Sequence, residues 1–568
     1  MKKAIPLIVS LVVFALECSA QNINWQWAKG STGNVQCEGW SAATDANGNV
    51  YVIGEFNGAV TFGDTTLINF GTGNALYIAK YNTDGNLVWV NAMDTISASV
   101  IAMAIDGNNN IYITGAFVDT IKLGPYTLIN PNSNIRAMYV AKYNDAGNII
   151  WAKCWGGISL SGGQGLATDN NNNLFVTGIF SGNIALGADT IHGGIYGAAF
   201  VVKYDAAGNV AWARALGTNS AAQGTSIATD DAGNVFVGGF YETDSVTFGI
   251  TTFHNGGYNY TSDVFLVKCD STGNLLWATA TGGDGGDQAN WVATDKDGNA
   301  YITGFFRSDS ITFGNTTLYN ACPITTCGGS ADVFVCKYSP TGEVLWSNRY
   351  GGRADDVGYS LAGDLSGNVY VSGKFNSDSI AFDSITLFQP ITGTDPAFLV
   401  VCDTGGHVHY AEAFSSGGDD QNVVCIDKQG NGFFVGDYIL SPFGIGPDTL
   451  LGPPDTTAFF DFENMFVARF RYGKGILWGV HDLSPAPVLI LYPNPFSSTA
   501  TVQYSLPTGA ENTSLIIYDI LGQVKHTYPL SNTSGQLSID ATGLSSGIYL
   551  YALAANGRVL VTQKMVIE

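Results

Sequence analysis

Charged side chains are scarce in this chain, and positive ones are the scarcest. Charged residues make up 12% of the 568 residues, about half the usual share, and only 24 lysines and arginines accompany 47 aspartates and glutamates. The net charge of −23 argues against a nucleic-acid partner, because phosphate binding needs a basic surface. In such a weakly charged chain the acidic excess serves mainly solubility, although carboxylates can also hold divalent cations.

Long apolar runs are missing after the N-terminus. Two lysines precede an apolar run at residues 4–16, which is too short to cross a bilayer and ends in small residues. We therefore predict a signal peptide over residues 1–20 and a mature chain from Gln21. Lipid attachment at Cys18 is the alternative, which the neighbouring Glu17 disfavours. Because no later segment offers 18 uninterrupted apolar residues, we expect no transmembrane span.

Glycine is abundant, with 71 residues, well above the usual share of about 7%. Turn-forming residues are frequent and strong helix formers are few. This balance predicts an all-β protein.

Three residue types recur at a long, regular interval, which is the main feature of the sequence. An aromatic residue returns every 61–69 residues, an aspartate opens a turn in each interval, and a glycine follows nine residues after that aspartate. The aromatic positions are Trp27, Trp89, Trp151, Trp212, Trp277, Trp346, Tyr410 and Trp478, and the aspartates are Asp45, Asp106, Asp169, Asp230, Asp295, Asp364 and Asp427. The pattern predicts seven structural units.

Each unit contains segments typical of four antiparallel strands, here called a, b, c and d in chain order. Asp-x-x-Gly-Asn stretches suit the tight turns between strands, and an extra hairpin such as 311–318 fits between strands b and c. Seven such sheets bury their faces by radial stacking, so we predict a seven-bladed β-propeller with inserted hairpins over residues 21–483. The segment Asn24–Lys29 resembles an extra strand d, and we predict that it completes the last blade and displaces Gly475–Val480.

The stretch Asp364–Gly373 closely resembles the repeat core of a seven-bladed propeller family common in secreted bacterial proteins. The resemblance extends over about residues 25–480. It implies the fold more firmly than an activity, because propellers serve as binding modules, enzymes and scaffolds.

The repeat stops near Ser484, where residues 484–490 are predicted to form a linker. Residues 491–568 alternate like the strands of a small Ig-like β-sandwich. This segment resembles the type A sorting domain of the type IX secretion system of Bacteroidetes, which implies contact with that machinery, and release or attachment to surface lipopolysaccharide. A carbohydrate-binding sandwich is the alternative. The motif positions are Tyr492, Pro493, Asn494, Pro495, Asp519, Gly522, Gly547, Tyr549 and Lys564.

Pairs of aspartates precede strand a in the later units and are the candidate ligand-binding residues. They lie among glycines, and carboxylates on such loops suit calcium, although a solvated acidic rim has the same appearance. The candidates are Asp284, Asp287, Asp355, Asp356, Asp419 and Asp420.

Other reactive side chains give weaker signals. A disulfide between Cys322 and Cys327 is plausible in an oxidising compartment, whereas four cysteines within strand patterns are expected to be buried free thiols: Cys269, Cys336, Cys402 and Cys425. His407 and His409 alternate on one strand and are a weak metal candidate. The lysine column in strand c, which starts at Lys80, is expected to pair with carboxylates rather than to form a cationic ring. No catalytic residue is assigned.

Two classes of function fit this sequence. A secreted or surface-attached binding or adhesion module for a glycan or protein is favoured, because loops that differ around a rigid scaffold suit recognition. A hydrolase or lyase acting on polysaccharide or peptide in the central pocket is the alternative, and it needs converging carboxylates. The a–b and c–d turns fall on one face of the ring, and the variable b–c and d–a loops on the other. We predict that a ligand binds on the second face.

Overall fold

The computed structural model describes residues 22–33, 36–71, 73–93, 98–130, 132, 134–156, 161–257, 261–324, 328–389, 395–414, 422–439, 443–450, 463–473, 488–492, 494–506, 513–519, 523–530, 532, 534–555 and 558–567. The predicted signal peptide and most of the predicted linker lie outside these residues. Every named element is a strand, which confirms the all-β prediction. Among the described residues, no helix has the length and apolar character needed to span a membrane.

The chain divides into two compact units, Met1–Gly475 and Ile476–Glu568. The first unit starts with β1 (Asn22–Thr32) and continues with sheets in the order a, b, c, d. Sheet one contains β2 (Cys37–Thr44), β3 (Val50–Phe56), β6 (Ala75–Tyr81) and β7 (Leu87–Met93), with the inserted hairpin β4 (Ala59–Phe62) and β5 (Thr65–Ile68). Sheet two contains β8 (Ala98–Ile105), β9 (Ile111–Phe117), β12 (Ala137–Tyr143) and β13 (Ile149–Trp155), with the hairpin β10 (Thr120–Leu123) and β11 (Tyr126–Ile129).

In sheet three the inserted hairpin is continuous with strands b and c. Sheet three contains β14 (Ser161–Thr168), β15 (Leu174–Leu186), β16 (Asp189–Tyr204) and β17 (Val210–Leu216). Sheet four contains β18 (Gln223–Thr229), β19 (Val235–Tyr241), β22 (Asp263–Cys269) and β23 (Leu275–Thr281), with the hairpin β20 (Ser245–Phe248) and β21 (Thr251–His254).

The last three sheets follow the same order. Sheet five contains β24 (Asp287–Thr294), β25 (Ala300–Phe306), β28 (Asp332–Tyr338) and β29 (Val344–Tyr350), with the hairpin β26 (Ser310–Phe313) and β27 (Thr316–Tyr319). Sheet six contains β30 (Asp356–Gly363), β31 (Val369–Phe375), β34 (Ala397–Cys402) and β35 (Val408–Phe414), with the hairpin β32 (Ser379–Phe382) and β33 (Ile385–Phe388). Sheet seven contains β36 (Val423–Ile426), β37 (Asn431–Tyr438), β40 (Asn464–Gly473) and β1, with the hairpin β38 (Phe443–Ile445) and β39 (Asp448–Leu450).

The N-terminal strand closes the ring. Strand β1 pairs antiparallel with β40, with Trp27 opposite Arg469, so it is strand d of sheet seven. The first strands of successive sheets contact one another in a cycle that returns from β36 to β2. The predicted closure by Asn24–Lys29 is therefore confirmed, whereas Gly475–Val480 lies outside the described residues.

Aromatic side chains fill the space between neighbouring sheets. Tyr301 of sheet five is fully buried in a cluster with Phe398 of sheet six, and Phe306 is buried in a cluster with Phe236 of sheet four. Flat sheets with two apolar faces are stable only when both faces are covered, so this packing holds the ring together.

The second unit consists of two antiparallel sheets. One has the order β41 (Val488–Tyr492), β42 (Thr499–Ser505) and β45 (Ser534–Asp540), and the other has the order β44 (Val524–Pro529), β43 (Ser514–Asp519), β46 (Gly547–Ala555) and β47 (Arg558–Ile567). A single apolar cluster joins them, including Val502, Ile517 and Met565.

Candidate functional site

The short turns between strands a and b share a pattern centred on one carboxylate. In sheet five, Asp295 Oδ1 accepts hydrogen bonds from the backbone N–H groups of Asp297 and Asn299, both at 3.0 Å, and Oδ2 accepts one from the Asn299 amide at 2.8 Å. Gly298 has a φ of +75°, which glycine adopts without strain. The predicted role of the repeated aspartate is confirmed. The face formed by these turns and the c–d turns is called the turn face.

A lysine from strand c lies beside each of five turn aspartates. Lys337 Nζ is 3.4 Å from Asp295 Oδ2 and 4.8 Å from the centre of the Tyr301 ring. Four other lysines make the same carboxylate contact at 3.4–3.8 Å: Lys80 with Asp45, Lys142 with Asp106, Lys203 with Asp169 and Lys268 with Asp230. This confirms that the column pairs with carboxylates, and it places these ammonium groups in the interior of the sheets.

The same lysines and the repeated tryptophans bind the next sheet. The Trp277 indole and Lys268 both donate to the backbone carbonyl of Pro340, at 3.0 and 3.2 Å. Trp212 and Lys203 donate likewise to Ser271, at 3.1 and 3.2 Å. At the closure, Trp27 and Arg469 donate to Thr83. Sheets such as four, three and seven are thus fastened to the c–d turn of the following sheet.

Sheet six departs from this pattern for a reason that the fold explains. It has Val401 and Tyr410 where other sheets have the lysine and the tryptophan. Sheet seven takes its strand d from the N-terminus, so no c–d turn follows β40 to accept their hydrogen bonds. Instead, Trp25 of β1 donates to Glu412 at 3.0 Å.

The opposite face of the ring, formed by the b–c and d–a loops and here called the loop face, carries the predicted ligand residues, and two of them are fully buried. Asp287 accepts hydrogen bonds from the backbone N–H groups of Gly283, Arg307 and Ser308 and from the Ser308 hydroxyl, at 2.6–3.2 Å. Its exposed fraction is 0%. Burial, together with the nearby Asp263 charge, raises the Asp287 pKa to about 7 despite these donors.

Asp356 repeats this arrangement in sheet six. It accepts from the N–H groups of Gly352, Asn376 and Ser377 and from the Ser377 hydroxyl, at 2.7–3.2 Å. Burial raises its pKa to about 7 as well. Both carboxylates therefore hold the d–a loop against the b–c connection and are closed off from solvent.

The other candidates are placed differently. Asp284 is exposed and accepts a hydrogen bond from the Asp309 N–H at 2.8 Å. Asp355 forms a two-pronged ion pair with Arg307, both contacts at 2.9 Å; burial alone would raise the Asp355 pKa, but the guanidinium holds it below its ordinary value. Asp419 and Asp420 lie outside the described residues.

No cluster of three or more His, Cys, Asp or Glu side chains that could hold a metal ion occurs in the described part of the chain. Calcium binding by the loop-face aspartates therefore stays a prediction. His409 and His407 flank Asp403, with nitrogen–oxygen distances of 3.1 and 3.4 Å.

Two further buried carboxylates on this face were not predicted. Asp263 and Asp332 begin strand c of sheets four and five, and each leaves its Oδ1 without a hydrogen-bond donor. A Cβ on Gly282 or Gly351 would lie 2.0 Å from that oxygen, so these glycines are required for the close approach. The recurring combination of Asp at the start of strand c and Gly-Gly after strand d is the signal that could have revealed them.

The cysteines mostly follow the prediction. Cys269, Cys336 and Cys402 are free and buried, and Cys425 is free and half-buried. Burial raises the pKa of the Cys269 thiol to about 12, which leaves it unreactive. Cys322 is disulfide-bonded, and its predicted partner Cys327 lies outside the described residues.

Among the cavities between the first sheets, one lies at each face of the ring. The loop-face cavity, of about 400 Å³, is lined by Glu55, Asn74, Ser99 and Arg136. The turn-face cavity, of about 320 Å³, is lined at the centre of the ring by Asp45, Asp106, Asp169 and their neighbours. These three aspartates accept hydrogen bonds from backbone N–H groups of their own turns.

Strand a of each of the first six sheets contains a one-residue bulge at the same place. The extra residues are Trp40, Ile101, Gln164, Thr225, Asn290 and Tyr359. All six are half-buried, whereas the residue before each of them is buried. Strand a is the innermost strand of its sheet, so the bulges lie around the central channel. Bulges re-aim side chains and are frequent near functional sites.

In the second unit, several motif residues fix the ends of strands. The Asn494 side chain accepts from the Val566 N–H at 2.8 Å and donates to the Lys564 carbonyl at 3.0 Å. Asp519 accepts from the Gln523 N–H at 2.9 Å. The Tyr549 hydroxyl donates to the Ser545 carbonyl at 3.0 Å, and the Tyr492 hydroxyl accepts from the Gln536 amide at 3.1 Å. The predicted motif residues Pro493 and Gly522 lie outside the described residues.

Comparison with protein families agrees with this organisation. Residues 490–568 match the family model described as "Secretion system C-terminal sorting domain", and residues 211–239 match the one described as "Beta-propeller repeat".

Two curated relatives share part of the chain. An uncharacterized WD repeat-containing protein, L264, from Acanthamoeba polyphaga mimivirus is 24% identical over 71% of this chain and 35% of its own length. The regulatory protein FlaEY of Caulobacter vibrioides is 29% identical over 28% of this chain and 15% of its own length. The chain thus spans about a third or less of these relatives.

Solved structures resemble the chain only loosely. A protein of unknown function from Dyadobacter fermentans has a TM-score of 0.38 at 8% identity, covering 79% of this chain and 99% of that one. The phage phi92 endosialidase has a TM-score of 0.37 at 10% identity, covering 96% and 87%.

The sorting domain marks proteins that pass through the type IX secretion machinery and are then secreted or attached to the cell surface. This chain is therefore a β-propeller repeat protein that carries a type IX C-terminal sorting domain.

Proposed function

We propose that the propeller is a secreted or surface-attached binding module whose ligand contacts the loop face. The observation that carries this proposal is a set of exposed apolar side chains at one repeated position, the last residue of the second hairpin strand. Tyr319 and Phe388 are 71% and 69% exposed there, and Ile68 and Ile129 occupy the same position in sheets one and two. Large exposed apolar side chains on a rigid support are typical of interaction surfaces.

The hairpin geometry gives these side chains a fixed position. Across the hairpin, Tyr319 pairs with Ser310 and Phe388 with Ser379. The preceding residue in each hairpin, Leu318 or Leu387, is buried and fastens the hairpin to the blade. Each exposed ring therefore lies beside a serine hydroxyl of the paired strand. Because the hairpin is already fixed to the blade, ligand binding costs little conformational entropy.

The buried carboxylates support binding rather than hydrolysis. A glycoside hydrolase needs two carboxylates that face a substrate, one of them as an acid with a raised pKa. Asp287 and Asp356 have raised pKa values, but backbone and serine donors occupy them and solvent does not reach them. Their contacts fit a role in holding the loops that present the binding surface.

The test uses the mature full-length protein and variants on both faces. Binding to immobilised glycans and to whole bacterial cells is measured for wild type, for Tyr319→Ser with Phe388→Ser, and for Leu365→Ser. Leu365 is a matched control because it is 69% exposed in an a–b turn of the turn face.

Loss of binding only in the hairpin double variant is the expected result. Equal binding by all three proteins, or selective loss in Leu365→Ser, would contradict the loop-face assignment. Turnover of a polysaccharide or peptide by the wild type would instead favour the hydrolase or lyase alternative.

A further inference from the structure

We infer that the loop-face end of the central channel is a binding site for an uncharged, hydroxyl-rich ligand such as the end of a neutral glycan chain. The inference rests on the proposed binding function and adds a site and a ligand class to it. Its residues are the six bulge positions, here called the channel ring: Trp40, Ile101, Gln164, Thr225, Asn290 and Tyr359.

The composition of the channel ring is what points to a neutral ligand. The six side chains include two aromatic rings, two amides, one hydroxyl and one aliphatic chain, and none carries a charge. In an acidic protein, such an uncharged ring is distinctive. Aromatic faces stack on the apolar faces of sugar rings, while amides and indole N–H groups exchange hydrogen bonds with sugar hydroxyls.

Two of the six ring residues are committed to the scaffold. The Thr225 hydroxyl donates to the Ala289 carbonyl at 2.6 Å, and the Asn290 amide donates to the Gly358 carbonyl at 2.9 Å. Each of these bonds links strand a of one sheet to strand a of the next. They rigidify sheets four to six around the channel.

The ring residues of the other three sheets form no such bond within the described residues. The Gln164 side chain is half-buried there, so its amide can exchange hydrogen bonds with a ligand. Trp40 is also half-buried; its indole N–H is enclosed, and the remaining surface of its ring can stack on a ligand. Ile101 lies between them, in sheet two. These three sheets are the ones we assign to ligand contact.

A tryptophan closes the channel on the turn-face side of the ring. Trp291 follows Asn290 on the strand, one step closer to the turn face, where other sheets have small residues such as Ser41, Gly165 and Ser360. Its side chain packs both on the cluster of sheets five and six and on the cluster of sheets seven and one, across the ring. The channel ring therefore lies on the loop-face side of Trp291.

The experiment titrates defined oligosaccharides into the mature full-length protein by calorimetry and by tryptophan fluorescence. The neutral probes are cellohexaose, maltohexaose and xylohexaose, and the anionic probe is trigalacturonic acid. The variants are Gln164→Ala, which removes the side-chain amide, and Trp40→Ala, which removes the aromatic ring, with Leu365→Ser on the turn face as control. Thermal unfolding checks that each variant is folded.

We expect at least one neutral probe to bind, with affinity about tenfold weaker in Gln164→Ala, as for the loss of one hydrogen bond, and about tenfold weaker in Trp40→Ala, as for the loss of a stacking ring. Leu365→Ser should leave this affinity unchanged. Binding of only the anionic probe, no binding of any probe, or neutral binding that both channel variants retain would overturn the inference. In each of these cases the hairpin variants still decide the proposed function independently, because they are measured on glycan arrays and cells.

Discussion

At the scale of single residues, the repeated tryptophan stabilises the propeller through one indole hydrogen bond as well as through packing. Trp212 and Trp151 occupy equivalent positions and are equally buried. The Trp212 indole donates to Ser271, whereas the Trp151 indole has no hydrogen-bond partner among the residues that the structure describes.

Substitution of these two residues by phenylalanine separates the hydrogen bond from packing. Both variants lose similar apolar contact, so Trp212→Phe should destabilise the propeller by about 1 kcal/mol more than Trp151→Phe, the usual net worth of a hydrogen bond. Chemical denaturation of both variants measures this difference. Equal destabilisation would show that the indole N–H contributes nothing to holding the sheets together.

The buried loop-face carboxylates make stability depend on pH. Burial raises the pKa of Asp287 and Asp356 to about 7 and that of Asp263 to about 6 in the folded state. A raised pKa in the folded protein means that the stabilising contribution is complete below the unfolded value near 4 and is lost as the pH rises toward 7.

Asp287→Asn removes one of these titrations while keeping the side-chain shape. The melting temperature of the variant relative to wild type should therefore increase between pH 5 and pH 8, even if the variant is less stable at both. Calorimetry at the two pH values measures this difference. Thr312→Ala, a change at an exposed hairpin residue, serves as a control with no expected pH dependence. A difference that is flat or decreasing with pH would mean that Asp287 is ionised in the folded protein across this range.

At the scale of elements, the sequence predicted the strands, the tight turns and the closing strand, because each has a local signature repeated seven times. It did not predict the bulges. A bulge adds one residue to a strand, and Trp40, Ile101 and Gln164 have nothing in common as side chains that would mark it. The burial of Asp287 was also missed, because a carboxylate among glycines resembles an exposed loop ligand in the sequence. Its burial depends on the b–c connection, from which the Ser308 hydroxyl donates to it.

Closure of the ring depends on β1, and a single residue on that strand tests it. Trp27 packs on Phe433 and donates to Thr83, whereas Gln26, next to it, is exposed. Trp27→Ala should accelerate amide hydrogen exchange in β40 by at least tenfold, because loosening β1 exposes the edge of that strand. Gln26→Ala should leave exchange unchanged. Protection of β40 that survives Trp27→Ala would assign closure to other contacts.

At the scale of the whole molecule, the second unit carries the export signal. Asn494 ties the start of that unit to its last strand through two hydrogen bonds. Asn494→Ala should reduce the amount of propeller found outside the cell, because a loosened sorting domain is a poorer substrate for the machinery. Quantitative immunoblots of culture medium and cell surface measure this, with the exposed Ser497→Ala as control. Normal export of Asn494→Ala would show that these two hydrogen bonds are dispensable for recognition by the secretion machinery.

The pairing of β1 with β40 also sets an order of events during biogenesis. Residues that pair in the closing sheet are among the first and the last of the propeller to be synthesised, as Trp27 and Arg469 illustrate. Until the later strand has been made and translocated, the earlier one has no partner and the seventh sheet has an open edge. Contacts between residues this distant in the chain form slowly. The nascent propeller is therefore first an open arc of sheets, with an unpaired strand edge at the closing sheet. Until β40 is in place, that unpaired edge can pair with neighbouring copies of the chain.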